Sequence, residues 1–158
     1  MNSELIKSLR TFCTNVIFSI RKNLHLKNKT PATDRRRTIG NIGERTAARF
    51  LRNCGFVILH ANYRCHTGEI DIIARKLNLI VFAEVKTRSS ADFAAPEESV
   101  TYSKQKKITR TASHYIEKYK LHHLECRFDI FSIYVNEKGR VIKVEHIPDA
   151  FNAPSLTL

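Results

Sequence analysis

"GEIDIIARKLNLIVFAEVKTR", residues 68–88, places Glu69, Asp71, Glu84 and Lys86 inside two runs of sheet-forming apolar residues. The runs 68–75 and 79–87 are rich in Ile, Val and Phe, and Leu77–Asn78 interrupts them, so the stretch reads as a hairpin. Alternate residues of a strand share a face. With the turn on Leu77–Asn78, Lys76 opposes Leu79, Asp71 opposes Glu84 and Glu69 opposes Lys86, which predicts one face carrying all four polar groups. Directly opposed residues have Cβ atoms ~4.5–5.5 Å apart. Two carboxylates that close on an apolar sheet repel each other and resist ionisation.

Two arrangements answer that repulsion. In the first, Asp71 and Glu84 share a divalent, oxygen-liganded cation, Mg²⁺ or Mn²⁺, and Lys86 returns to the same face to hold a water or offset charge on a phosphate. In the second, Glu69 and Lys86 form a cross-strand ion pair and Asp71 is a capped or solvated carboxylate. The runs are apolar at nearly every other position, as in sheets covered on both faces, whereas a solvated edge would alternate more cleanly. Both arrangements remain open on the pattern alone.

On the N-terminal side of the hairpin, "FVILHANYR" (56–64) is a third strand candidate. Before it, Ile39, Ile42, Gly43, Thr46, Ala47, Phe50, Leu51 and Cys54 form a helical stripe that Gly55 is placed to stop. Glu44 falls on the flank of that stripe. On the C-terminal side, residues 102–120 put Ile108, Ala112, Tyr115, Ile116 and Tyr119 on one helical face, and "RFDIFSIYV" (127–135) and "RVIKVEHI" (140–147) read as strands joined at "NEKG". The predicted order is helix, three strands, helix, two strands.

The 158 residues suit one domain with an appendage. Composition is that expected of a soluble globular protein, and no apolar run approaches the ~18 residues of a membrane span. The net charge of +12 is uneven: residues 1–37 hold net +7, leaving +5 for the remainder. Such a surface favours polyanions, nucleic acid ahead of anionic membrane. Residues 1–20 place Leu5, Ile6, Leu9, Phe12, Val16 and Ile17 on one helical stripe without a secretory signal's long apolar core or cleavage site, and residues 21–37 read as a basic linker. Cys13, Cys54, Cys65 and Cys126 show no CxxC pair, and the seven histidines show no metal-ligand spacing. Reduced thiols in a cytoplasmic protein are expected, with neither disulfides nor structural zinc.

"GERTAARFL", "GEIDIIAR", "FAEVKTRSS", "PEESVTYSKQKKI" and "RFDIFSI", in this order, resemble the YraN family of small bacterial proteins, predicted endonucleases distantly similar to Holliday-junction resolvases within the PD-(D/E)XK nuclease superfamily. The resemblance runs from about Ile39 to Phe151. It implies an α/β fold with a restriction-endonuclease-like core, a central mixed β-sheet flanked by helices in αβββαββ order. It divides the chain into a basic extension (1–38), a nuclease-like domain (39–151) and a short tail (152–158). It also implies Asp71 and Glu84 as ligands of Mg²⁺ or Mn²⁺, Lys86 as the catalytic lysine and Glu44 as a further acidic member. Glu69 belongs to the same motif, and Ile70 stands where the superfamily has its signature proline. Arg88, Lys104, Gln105 and Lys107 are phosphate-contact candidates, because they follow the acidic strand and open the second helix. Asp129 and Arg127 read as structural. The expectation is a metal-dependent endonuclease acting on DNA rather than RNA, on branched or repair intermediates, with a homodimer as one form it could take. A non-catalytic nucleic-acid-binding module on the same fold is the alternative.

Overall fold

A computed structural model describes residues 32–89 and 100–153. The amphipathic stripe of residues 1–20, most of the basic linker and the first residues of "PEESV" lie outside them. The chain forms α1 (Ala32–Asn53), β1 (Val57–Cys65), β2 (Gly68–Lys76), β3 (Leu79–Ser89), α2 (Tyr102–Tyr119), β4 (Glu125–Val135) and β5 (Val141–Ile147). This is the predicted order. Helix α1 starts at Ala32, within the segment read as linker, because its first two turns carry no large apolar residue to reveal a helical period.

The strands make one sheet in the order β1-β2-β3-β4-β5. Pairing is antiparallel except for β3 and β4, which run parallel, with α2 as the crossover. The β2–β3 hairpin has the predicted register, from Lys76↔Leu79 to Ile72↔Ala83, and Leu77 turns the chain with φ 53°.

Each face of the sheet is covered by one helix. On one, Ala47, Ala48 and Leu51 of α1 pack with Ile72, Ala74, Val81, Ala83, Phe131 and Ile133. On the other, Ile108, Ala112 and Tyr115 of α2 pack with Ile70, Ile73, Ile80, Phe82, Phe128 and Ile130. Strands buried on both sides lose the polar half of their alternation, which is why β2 and β3 read as nearly continuous apolar runs. An integral part of this packing is the approach of α1 to β3: a Cβ on Gly43 would lie 2.0 Å from Thr87 Oγ1. Only glycine lets the helix come so close.

Asp129, buried on β4, is fully engaged. Arg127 donates to both of its oxygens at 2.8 and 2.9 Å, His146 Nε2 lies 2.8 Å away, and the Asp149 backbone N–H donates at 3.1 Å. Burial alone would raise this carboxyl, but the His146 and Arg127 contacts more than offset it and hold it low. The network ties β4 to β5 and the segment after it, the structural role expected for Asp129 and Arg127.

Candidate active site

The hairpin does not present its four polar groups on one flat face. Strict alternation breaks at Asp71: Ile70 and Ile73 both pack toward α2, whereas Ile72 and Ala74 pack toward α1. Across from this point Asn62 of β1 has φ 54°. The β2–β3 ladder ends at Ile72↔Ala83, while β3 continues to Ser89 paired with β4. Where the next ladder bond would form, the Val85 N–H donates instead to Asp71 Oδ2 at 2.7 Å. The strands therefore part at the acidic residues, with Asp71 turned toward β3.

Glu84 and Lys86 alternate with Ile80 and Phe82 and so belong to the α2 face. Glu84 is only 4% exposed, and its Oε1 is held by Lys86 Nζ at 2.7 Å and Lys104 Nζ at 3.1 Å. Its Oε2 is buried without a partner. Lys104 reaches Glu84 from the first turn of α2, whose N-cap is Thr101, accepting from the Lys104 N–H. Lys107 lies one turn further along, exposed.

Asp71 titrates far from its ordinary range. Burial pushes its carboxyl up to about 6, the nearby Glu84 and Glu44 add to the rise, and the Val85 N–H and Lys104 oppose it. Glu44 lies on α1, its Oε2 accepting from Asn62 Nδ2 at 2.6 Å. It lines a cleft of about 370 Å³ together with Ile39, Gly40, Val85, Lys86 and Thr87.

Asp71, Glu84, Lys86, Lys104 and, more loosely, Glu44 thus converge. Arg88 follows Lys86 by two residues on β3 and pairs in register with Tyr134, its Nε buried without a partner. Two candidates are engaged elsewhere. Glu69 is half-exposed and ion-pairs with Arg64 on β1 at 3.2 Å; the Glu69–Lys86 cross-strand ion pair, one of the two arrangements the pattern left open, does not form, because β2 and β3 have already separated and Lys86 is taken by Glu84. Gln105 Nε2 donates to the Val100 carbonyl at 3.2 Å, bracing the start of α2. Two neighbours went unseen in the sequence. Asn62 holds Glu44, and its tolerance of positive φ was the available signal. Ser132, in register with Lys86, buries a hydroxyl without a partner, and nothing in an apolar strand marks it.

The donors around Asp71 and Glu84 are hard oxygens, one of them buried and unsatisfied, and burial together with the nearby Glu84 disfavours the charge on Asp71. Both features suit a small divalent cation such as Mg²⁺ or Mn²⁺, which would satisfy the orphaned oxygen and relieve the repulsion.

Residues 43–133 match the profile of Uncharacterised protein family UPF0102. A UPF0102 protein of Caldicellulosiruptor saccharolyticus is 43% identical over 116 residues, 73% of this chain and 98% of the relative. One from Dictyoglomus turgidum is 46% identical over 113 residues (72% and 96%), and one from Caldanaerobacter subterraneus subsp. tengcongensis is 45% identical over 117 residues (73% and 96%). The matched segment contains every polar residue of the converging group from Glu44 to Ser132, and the chain belongs to the UPF0102, or YraN, family.

Proposed function

We propose that this protein is a Mg²⁺- or Mn²⁺-dependent endonuclease that hydrolyses phosphodiester bonds in DNA, with branched and repair intermediates as its substrates. The observation that carries the reading is Glu84: a buried carboxylate with one oxygen held by two lysines and the other left without a partner, beside an Asp71 that resists ionisation. Asp71 and Glu84 would hold the cation, which when bound polarises a phosphate oxygen and acidifies a water. Lys86, beside Glu84, would orient the attacking water and offset charge growing on the phosphate. Lys104 and Lys107 offer positive charge at the start of α2, where the helix dipole also favours an anion. Arg88 extends the basic side of the group along β3. The support is the family's motif set together with this convergence.

The test is incubation of the full-length protein with supercoiled, single-stranded, flapped and four-way-junction DNA in Mg²⁺, Mn²⁺ or EDTA. Cutting that requires the metal should fall by about 100-fold or more in Glu84→Gln and in Lys86→Ala, with melting curves that still show a folded protein. Wild-type cutting in both variants would overturn the proposal. No cutting in any metal, alongside salt-sensitive binding indifferent to EDTA, would replace it with a nucleic-acid-binding module.

A further inference from the structure

The β1–β2 turn assembles a second donor set of a different chemical kind. Cys65 pairs with Gly68, so His66 and Thr67 form the turn, and α2 brings His114 against it. One ligand atom from each of Cys65, His66 and His114 lies within 4.8 Å of the others. The two imidazoles meet edge to face with centroids 5.0 Å apart. Linear spacing conceals this, because His114 comes from another element.

Both inner ligands are already oriented. Tyr63 Oη sits 3.1 Å from His114 Nδ1, an orienting contact of the kind that supports metal-bound histidines. Thr67 Oγ1 lies 2.9 Å from Cys65 Sγ and 3.1 Å from Thr111 Oγ1, whose own proton goes to the Lys107 carbonyl at 2.9 Å. Thr67 thus has one proton and two neighbours, Thr111 Oγ1 and the Cys65 sulfur, and it ties the cysteine to α2.

We propose that Cys65, His66 and His114 form a Zn²⁺ site that staples the β1–β2 turn to α2. One sulfur and two imidazoles suit zinc and disfavour Mg²⁺ or Mn²⁺, so this set and the Asp71–Glu84 oxygens select different ions. Tetrahedral zinc, with Zn–S ~2.3 Å and Zn–N ~2.0–2.1 Å, sets its ligand atoms about 3.3–3.6 Å apart. A contraction of about an ångström suffices, and His66 is exposed at a turn and able to supply it. Three protein ligands leave a fourth position for water or an incoming donor. The turn already approaches α2 closely: a Cβ on Gly68, at φ 147°, would lie 3.0 Å from Thr111 Oγ1. Fixing it there fixes the helix that carries Lys104 and Lys107.

The full-length protein, freed of metal, is titrated with Co²⁺ and then Zn²⁺. The expected result is a thiolate-to-cobalt charge-transfer band that saturates at one equivalent and is displaced by Zn²⁺, with a rise in melting temperature on adding Zn²⁺. Cys65→Ser should abolish the band, and Glu84→Gln should keep it, which separates this site from the acidic group. His66→Ala, at an exposed position, should leave the fold intact and weaken Zn²⁺ binding by about tenfold or more, since losing a ligand costs at least what losing its supporting partner costs. Absence of the band, its survival in Cys65→Ser, or unchanged Zn²⁺ affinity in His66→Ala would each overturn the proposal.

Discussion

Asp71 concentrates the tension of the site. Its carboxyl titrates near 6 instead of 3.8, so the folded protein prefers the protonated form. For an acid raised in this way, the stabilising contribution is fully present below the ordinary value and is lost as pH rises through about 6. Asp71→Asn keeps an oxygen for the Val85 N–H and removes the charge. In EDTA it should therefore stabilise the protein by about 1–3 kcal/mol at pH 8 and make little difference at pH 4, as read by urea unfolding at the two pH values. A variant equally destabilised at both would show that burial and the Glu84 charge are not what strains this residue. The identity of Asp71 and Glu84 as candidates was legible from the hairpin pattern. The turning of Asp71 toward β3 was not, because the break in alternation depends on Asn62 across the sheet and on the parting of β2 from β3.

At the level of elements, the relation of α1 to β3 positions Glu44 over the cleft. The contact is made at Gly43, where a methyl would meet Thr87 Oγ1 at 2.0 Å and Thr87 Cβ at 3.3 Å. Gly43→Ala should gain about 1 kcal/mol of helix propensity yet be destabilising overall by about 1–3 kcal/mol through overpacking. Adding Thr87→Ala should recover much of the loss. Urea unfolding of the two single variants and the double variant measures this coupling, and purely additive effects would show that Gly43 is not held by Thr87. The helical period of α1 was evident from Ile39 onward, since burial of Ala47, Ala48 and Leu51 enforces it. The earlier turns carry no large apolar residue and left no period to read.

For the molecule as a whole, the dominant property is charge. The chain carries net +12, and no helix among the described residues is long and apolar enough to cross a membrane. On the proposed reading, duplex DNA binding should weaken linearly on logarithmic axes with salt, with a slope of about −0.9 per phosphate contact. Lys104→Ala and Lys107→Ala should each reduce that slope by about 1, measured by fluorescence anisotropy in EDTA. A flat salt response would deny phosphate contact altogether.

The sequence by itself determined the element order and the β2–β3 register from Lys76↔Leu79 to Ile72↔Ala83, because both rest on period and on a short turn, which are local properties of a chain. Tertiary structure alone decided what meets across elements. Lys104 reaches Glu84 because the α2 crossover covers the face that β3 presents, Glu69 turns to Arg64 because β2 stays paired with β1, and Cys65 and His66 meet His114 because the same helix lies over the β1–β2 turn. Such contacts depend on how the chain packs back on itself, a relation that no periodicity along the sequence carries.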